Sequence, residues 1–173
     1  MPVAAQASDG TITFKGKLVS TTCTISVNGG SNSATVSLPT VATTALTSAG
    51  QIAGGTRFSI VLSACSKQTG SAVAYFEPGD GVNSADNNLR NTETTTPAGN
   101  VEVQLTNLTG TPIKIGDKAS QEAMSTGTPP TPLNGATIVN GAATLSYVAS
   151  YYATGQSTTG AVTASVTYSI DYF

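Results

Sequence analysis

Cys23 and Cys65 are the residues best suited to covalent chemistry in this chain, and the bond open to them is a disulfide. A bridge closing a loop of about forty residues is worth roughly 3–4 kcal/mol in the chain-entropy picture. The other reading is two unrelated buried thiols, as a reducing cytosol allows. An even cysteine count in a Thr- and Ser-rich chain favours an oxidising compartment. Little else points to a reactive centre. The chain has no His, which removes the commonest general base and metal ligand. Ser-His-Asp and Cys-His catalysis are therefore impossible within it. It has no phosphate-binding loop and no carboxylate cluster. Asp80, Asn83 and Asp86 are spaced like the start of a calcium loop but lack a following acidic ligand in register, so they read as a solvated turn. The sequence assigns no catalytic residue, no metal ligand and no cofactor.

The elements that must carry any other function are strands. The chain is 173 residues long, the size of about one domain, and 39% hydrophobic, which is enough for a core. Charged residues are only 9%, against a usual quarter or so. A net charge of −2 gives no electrostatic attraction to nucleic acid or to an anionic membrane. No apolar run is long enough to cross a bilayer as a helix. Helical periodicity is weak, with residues 41–49 forming at most a turn or two. Strand patterns bounded by Gly, Pro and Asn fall at 11–19, 23–27, 34–38, 57–62, 72–76, 101–106, 112–115, 143–152 and 161–173. Residues 79–91 and 127–135 read as loops. Many short strands with regular turn signals make an all-β sandwich.

The two ends are the most informative segments. After Gly160, apolar residues recur at every second position: Val162, Ala164, Val166, Tyr168, Ile170 and Tyr172. Near the start, Ile12, Phe14, Gly16 and Leu18 alternate with Thr11, Thr13, Lys15 and Lys17. Each end has the period of a strand with one buried face. Gly16 interrupts its apolar row, as a glycine does where another backbone approaches closely. Ahead of it, Ala5-Gln6-Ala7 has the small-x-small form found before a signal-peptide cleavage site. Residues 1–7 are then a leader remnant or an added start, the competing reading being a short disordered arm.

Taken together these residues resemble pilins of the chaperone–usher pathway, in particular type 1-like fimbrial major (shaft) subunits. Such pilins end in an alternating strand with a penultimate aromatic and a Gly fourteen residues from the end; here these are Tyr172 and Gly160. They begin with an extension of alternating apolar residues around a Gly, ahead of the first cysteine, as residues 11–19 stand ahead of Cys23. Cys65, following the apolar run Phe58-Ser59-Ile60-Val61-Leu62, and the Tyr147–Tyr152 stretch also fit, so the match covers nearly the whole chain.

The resemblance implies an incomplete immunoglobulin-like sandwich lacking its last strand, completed by a donor strand from a neighbouring subunit. It divides the chain into a donor extension at 8–19 and a pilin domain at 20–173. Ile12, Phe14, Gly16 and Leu18 become the donor row. Gly160, Val162, Ala164, Val166, Tyr168, Ile170 and Tyr172 become the acceptor-groove wall and chaperone-facing edge, and Cys23 pairs with Cys65. The implied partners are identical subunits in a head-to-tail homopolymer, a periplasmic chaperone, an outer-membrane usher and a tip adhesin. The implied location is the surface of a Gram-negative bacterium, where the Asn107-Leu108-Thr109 glycosylation pattern is accidental. Two alternatives stay open: a glycan-binding adhesin, and a secreted sandwich whose first strand completes its own sheet. A Gram-positive pilin is disfavoured, because no sorting motif or hydrophobic anchor follows Asp171-Tyr172-Phe173.

Overall fold

The computed structural model describes residues 22–173, so the expected donor strand at 11–19 and the leader remnant at 1–7 lie outside the described residues. The strands are β1 (Thr24–Val27), β2 (Ile52–Ser63), β3 (Thr69–Phe76), β4 (Leu89–Arg90), β5 (Val101–Asn107), β6 (Gly135–Val139), β7 (Ala143–Ala153) and β8 (Tyr168–Tyr172). One helical turn, α1 (Lys118–Gln121), precedes β6. A five-stranded sheet runs β1-β2-β7-β5-β4, and a three-stranded sheet runs β6-β3-β8. All the strand pairings are antiparallel.

Alternation explains how the sheets face each other. In β7, Ala143, Leu145, Tyr147 and Ala149 are buried while Thr144, Ser146 and Val148 point outward. Phe58, Ile60 and Leu62 of β2 and Val103 and Leu105 of β5 join them from the larger sheet. Ala72, Ala74 and Phe76 of β3 and Ile138 of β6 meet them from the smaller one. The Tyr147 ring sits at the centre, 5.6 Å from Phe58 and edge-on to Phe76 at 5.1 Å. Its hydroxyl donates to the Asn134 carbonyl at 2.8 Å, so the buried polar tip is satisfied. Burial drives that hydroxyl far above the usual phenol range.

Cys23 and Cys65 are joined as a disulfide. The link ties the start of β1 to the corner after β2 and is worth about 4 kcal/mol in the loop-entropy picture. Gln121 of α1, fully buried, closes the end of β3 like a missing strand neighbour. Its side chain accepts from the Phe76 N–H at 2.8 Å and donates to the Phe76 and Lys114 carbonyls.

Several local expectations change. Residues 34–38 form no strand, although Val36 and Leu38 still turn half-buried faces to the core. Residues 112–115 make one bridge to Thr106 and tuck Ile113 and Ile115 into the core without a ladder. Residues 41–49 contain a single 3-10 turn at Thr43–Ala45. The loop expected at 79–91 ends in β4. Within it, Asn83 and Asp86 accept from the Ala85 and Asn88 backbone N–H groups, which is Asx-turn chemistry. Asn107 likewise accepts from the Thr109 and Thr111 N–H groups, so the Asn-x-Thr pattern serves a turn. β6 was not among the expected strands. It is joined to β7 by Asn140-Gly141, both at positive φ, the two-residue turn that matches strand twist.

The lead-in to β8 depends on Gly160. Ala161 bridges Pro97 in parallel, donates to the Thr96 carbonyl at 2.7 Å and accepts from the Ala98 N–H at 2.9 Å. This draws the backbone in so closely that a Cβ on Gly160, at φ +156°, would lie 2.3 Å from the Ala98 nitrogen. Gly160→Ala is therefore expected to cost about 2 kcal/mol or more, read as a lowered urea midpoint. A second test concerns Glu102 on β5, which is 8% exposed under the 83–88 turn. Asn83 donates to one of its oxygens at 2.8 Å, while the other has no partner among the described residues. Burial pushes this carboxyl up, the Asn83 bond pulls it partly back, and the facing Asp86 adds to the rise. A carboxyl raised on folding favours the fold when protonated, and that stability is lost as pH climbs through the raised value. Glu102→Gln should thus melt higher than the parent at pH 7, the gap closing below about pH 4 where the unfolded carboxyl is also protonated.

Candidate functional site

The strongest candidate is the free edge of the smaller sheet. Among the described residues β8 has one neighbour, β3. Ser71 and Phe173 exchange both backbone bonds, at 3.1 and 2.9 Å, and Glu77 donates to the Thr167 carbonyl at 2.9 Å. The residues between follow the antiparallel rule. Odd-numbered positions of β8 bond to β3, while Tyr168, Ile170 and Tyr172 stand opposite Phe76, Ala74 and Ala72 as non-bonded pairs. Their N–H and C=O groups consequently point to the free side. The same parity holds upstream, where Ala161 and Thr163 bond back to residues 91–98.

Side-chain direction is locked to that parity. Val162, Ala164, Val166, Tyr168, Ile170 and Tyr172 all turn toward the core, yet each is only half-buried, unlike Ile60, Ile138 or Leu145. Across from them lie Cys23, Ile25, Val36 and Leu38, also half-buried against the same core. The result is a slot between the edge of the smaller sheet and the β1 lip of the larger one. Its floor is core, its walls are apolar, and one side carries a row of outward backbone donors and acceptors. Such a slot can take up an extended strand, with ladder bonds for affinity and side-chain pockets for selectivity. Two tyrosines reach over it. The Tyr168 hydroxyl donates to the Asn32 carbonyl at 2.7 Å, and the Tyr172 hydroxyl lies against the Cys23 backbone N–H. Burial raises the pKa of both.

The outer face of β8 is held separately. Lys118 bonds to Asp171 at 2.5 Å, pairs with Glu122, and lies 4.7 Å over the Tyr75 ring. Burial pushes the Asp171 carboxyl up, but hydrogen bonds with Glu122 and Lys118 outweigh it and hold the carboxyl low. Burial pushes Glu122 up, and the bond to Asp171 adds to that rise. The cluster fastens α1 to the back of the strand and leaves the slot side free.

The structure thus brings Val162, Ala164, Val166, Tyr168, Ile170 and Tyr172 together as one wall. Gly160 sits apart from that lining, at the tight approach to Pro97 and Ala98. Ile12, Phe14, Gly16 and Leu18 lie outside the described residues. The facing lip, with Ile25, Asn32, Val36 and Leu38, was not singled out from sequence. Its signals were the alternation of Ile25 with Val27 and of Val36 with Leu38. Among the described residues no group of three His, Cys, Asp or Glu is placed to hold a metal.

Comparison with known proteins gives this architecture a context. The profile of the type-1 fimbrial protein A family matches residues 38–173. The major fimbrial subunit SMF-1 of Stenotrophomonas maltophilia is 44% identical over 159 residues, covering 88% of this chain and 86% of that protein. The F17 fimbrial protein of Escherichia coli is 39% identical over 157 residues, covering 88% and 81%. The crystal structure of a Burkholderia pseudomallei antigen and type I fimbria protein superposes with a TM-score of 0.56 at 26% identity, over 88% of this chain and 95% of that one. The P pilus rod subunit PapA shares the fold, at TM-score 0.59 and 16% identity over 87% and 99%. These relatives are structural subunits rather than enzymes, and the chain belongs to the type-1 fimbrial protein family as an immunoglobulin-like structural subunit of a fimbria.

Proposed function

We propose that the subunit polymerises by donor-strand exchange, residues 8–19 of one copy entering the slot beside β8 of the next. The observation that carries this reading is the parity of β8: the residues whose backbone groups face the free edge are those whose side chains line a half-filled core. Ile12, Phe14 and Leu18 supply apolar side chains worth roughly 1.5–3 kcal/mol each on full burial. Backbone ladder bonds add about 1 kcal/mol each. Gly16 meets a shallow part of the slot where a side chain would clash. The joint uses different surfaces on the two copies and does not close on itself, so it propagates as a filament.

A bare slot exposes core and unpaired backbone, so it needs a temporary occupant before assembly. A periplasmic chaperone lends that strand at the β8 edge, with Tyr172 at the recognition end. An outer-membrane usher then delivers subunits to the surface of a Gram-negative cell, behind a tip adhesin. On this reading residues 20–173 are the pilin domain and residues 1–7 are a leader remnant.

The test is expression with and without residues 8–19, alongside the periplasmic chaperone, followed by electron microscopy and native gels. The full chain is expected to form long, heat-resistant, non-covalent polymers, and the shortened chain to stay chaperone-bound. A shortened chain that is a stable free monomer, with a full chain that never polymerises, would sink the proposal. Gly16→Leu should block polymer growth while leaving chaperone-bound folding intact, and unimpaired growth would remove the steric role given to Gly16.

A further inference from the structure

The slot is crossed by two hydroxyl contacts that nothing in its strand-accepting role requires. Tyr168 and Tyr172 sit four residues apart on the inward row of β8, about 13 Å along the strand. Each reaches the opposite lip: Tyr168 at the Asn32 carbonyl, 2.7 Å away, and Tyr172 at the Cys23 backbone N–H. Ile170 between them packs on the core but has no polar tip with which to tie. An intervening strand must lie about 5 Å from each neighbour, which sets the lips about 10 Å apart. A side chain spanning from one lip to the backbone of the other lies across the entrance that strand has to use.

We propose that Tyr168, assisted by Tyr172, is a latch residue: its hydroxyl bond to the Asn32 carbonyl holds the lips together in the vacant subunit and must break for a donor strand to enter. This rests on the donor-strand reading above and adds regulation of the same site. The latch has a physical rationale in the tyrosine side chain. The ring covers core that the slot would otherwise expose, packing 6.5 Å from Phe76. The hydroxyl meanwhile satisfies a carbonyl on the far side. Phenylalanine at 168 keeps the cover and removes the tie, so the latch acts on the rate of entry and not on whether the slot exists.

The experiment mixes the purified full chain with a fluorescent synthetic peptide of residues 8–19 and follows capture by anisotropy, with melting temperature measured in parallel. Tyr168→Phe is expected to capture the peptide about two- to tenfold faster than the parent, the range set by losing one neutral hydrogen bond. Its melting temperature should stay within a degree or two. Tyr75→Phe is the control, because the Tyr75 hydroxyl donates to the Gly116 carbonyl at 3.3 Å, away from the slot. Its capture rate should match the parent's. Capture by Tyr168→Phe at the parental rate or slower overturns the latch while leaving strand exchange standing. Acceleration matched by Tyr75→Phe, or accompanied by a melting temperature several degrees lower, overturns it as general loosening. A parent chain that takes up no peptide at any concentration, and forms no polymer, overturns donor-strand exchange and the latch with it.

Discussion

The organising constraint of this molecule is the coupling, along an antiparallel strand, between where the backbone points and where the side chain points. β8 bonds to β3 through its odd-numbered residues. Its even-numbered residues must then send their N–H and C=O groups to the other side and their side chains to the core. The same side chains that need a neighbour to finish burying them therefore belong to the residues whose backbone needs a neighbour to pair with. One added strand answers both needs at once. A strand slipped by one residue would present polar side chains to the core, so the register is strongly specified.

The remaining structure keeps that edge in place. β3, the neighbour of β8, is clamped between β6 on its other side and the Tyr147–Phe76 contact beneath it. Gln121 finishes its end, and the Lys118–Asp171 bond fastens the outer face of β8 to α1. The facing lip is short, since β1 has only four residues, and the Cys23–Cys65 bridge fixes it to the corner after β2. The disulfide thus does more than reduce the entropy of the unfolded chain. It sets where the second wall of the slot stands, with Ile25, Val36 and Leu38 following from that anchor.

The fold class and one wall of the site were legible because their signals are local. A period of two over Val162–Tyr172 shows itself in sequence order, and so does the Phe58-Ile60-Leu62 row of β2. Features that depend on a distant partner were not legible. Val36 and Leu38 alternate like a strand, but no described strand pairs with them, so alternation alone overstated the ladder. Residues 161–167 are extended, but their partners are loop residues 91–98 and Glu77, and only Tyr168–Tyr172 joins a regular ladder. β6 was readable and overlooked, because Asn140-Gly141 after Thr137-Ile138-Val139 is a strong hairpin signal. Gly160 was rightly singled out, but its reason lies sixty residues away in the Pro97–Ala98 backbone, which no spacing rule reveals.

A free edge beside an apolar row is an aggregation hazard, and folded proteins blunt such edges with charge, proline or cover. This edge carries none of those on its inner row. Its protection is the tyrosine pair, which combines an apolar ring with a polar tip. Leucine at 168 would leave the Asn32 carbonyl without its hydroxyl donor, and a charged residue there would have to enter a half-buried pocket unpaired. Tyrosine avoids both penalties, covering the core while bonding the facing lip. That cover is weaker than a full strand ladder, because one hydroxyl bond cannot match a row of backbone bonds. The arrangement therefore sits between two requirements: closed enough to keep subunits from associating at random, and weak enough to yield to a strand that supplies both the ladder and the missing core side chains.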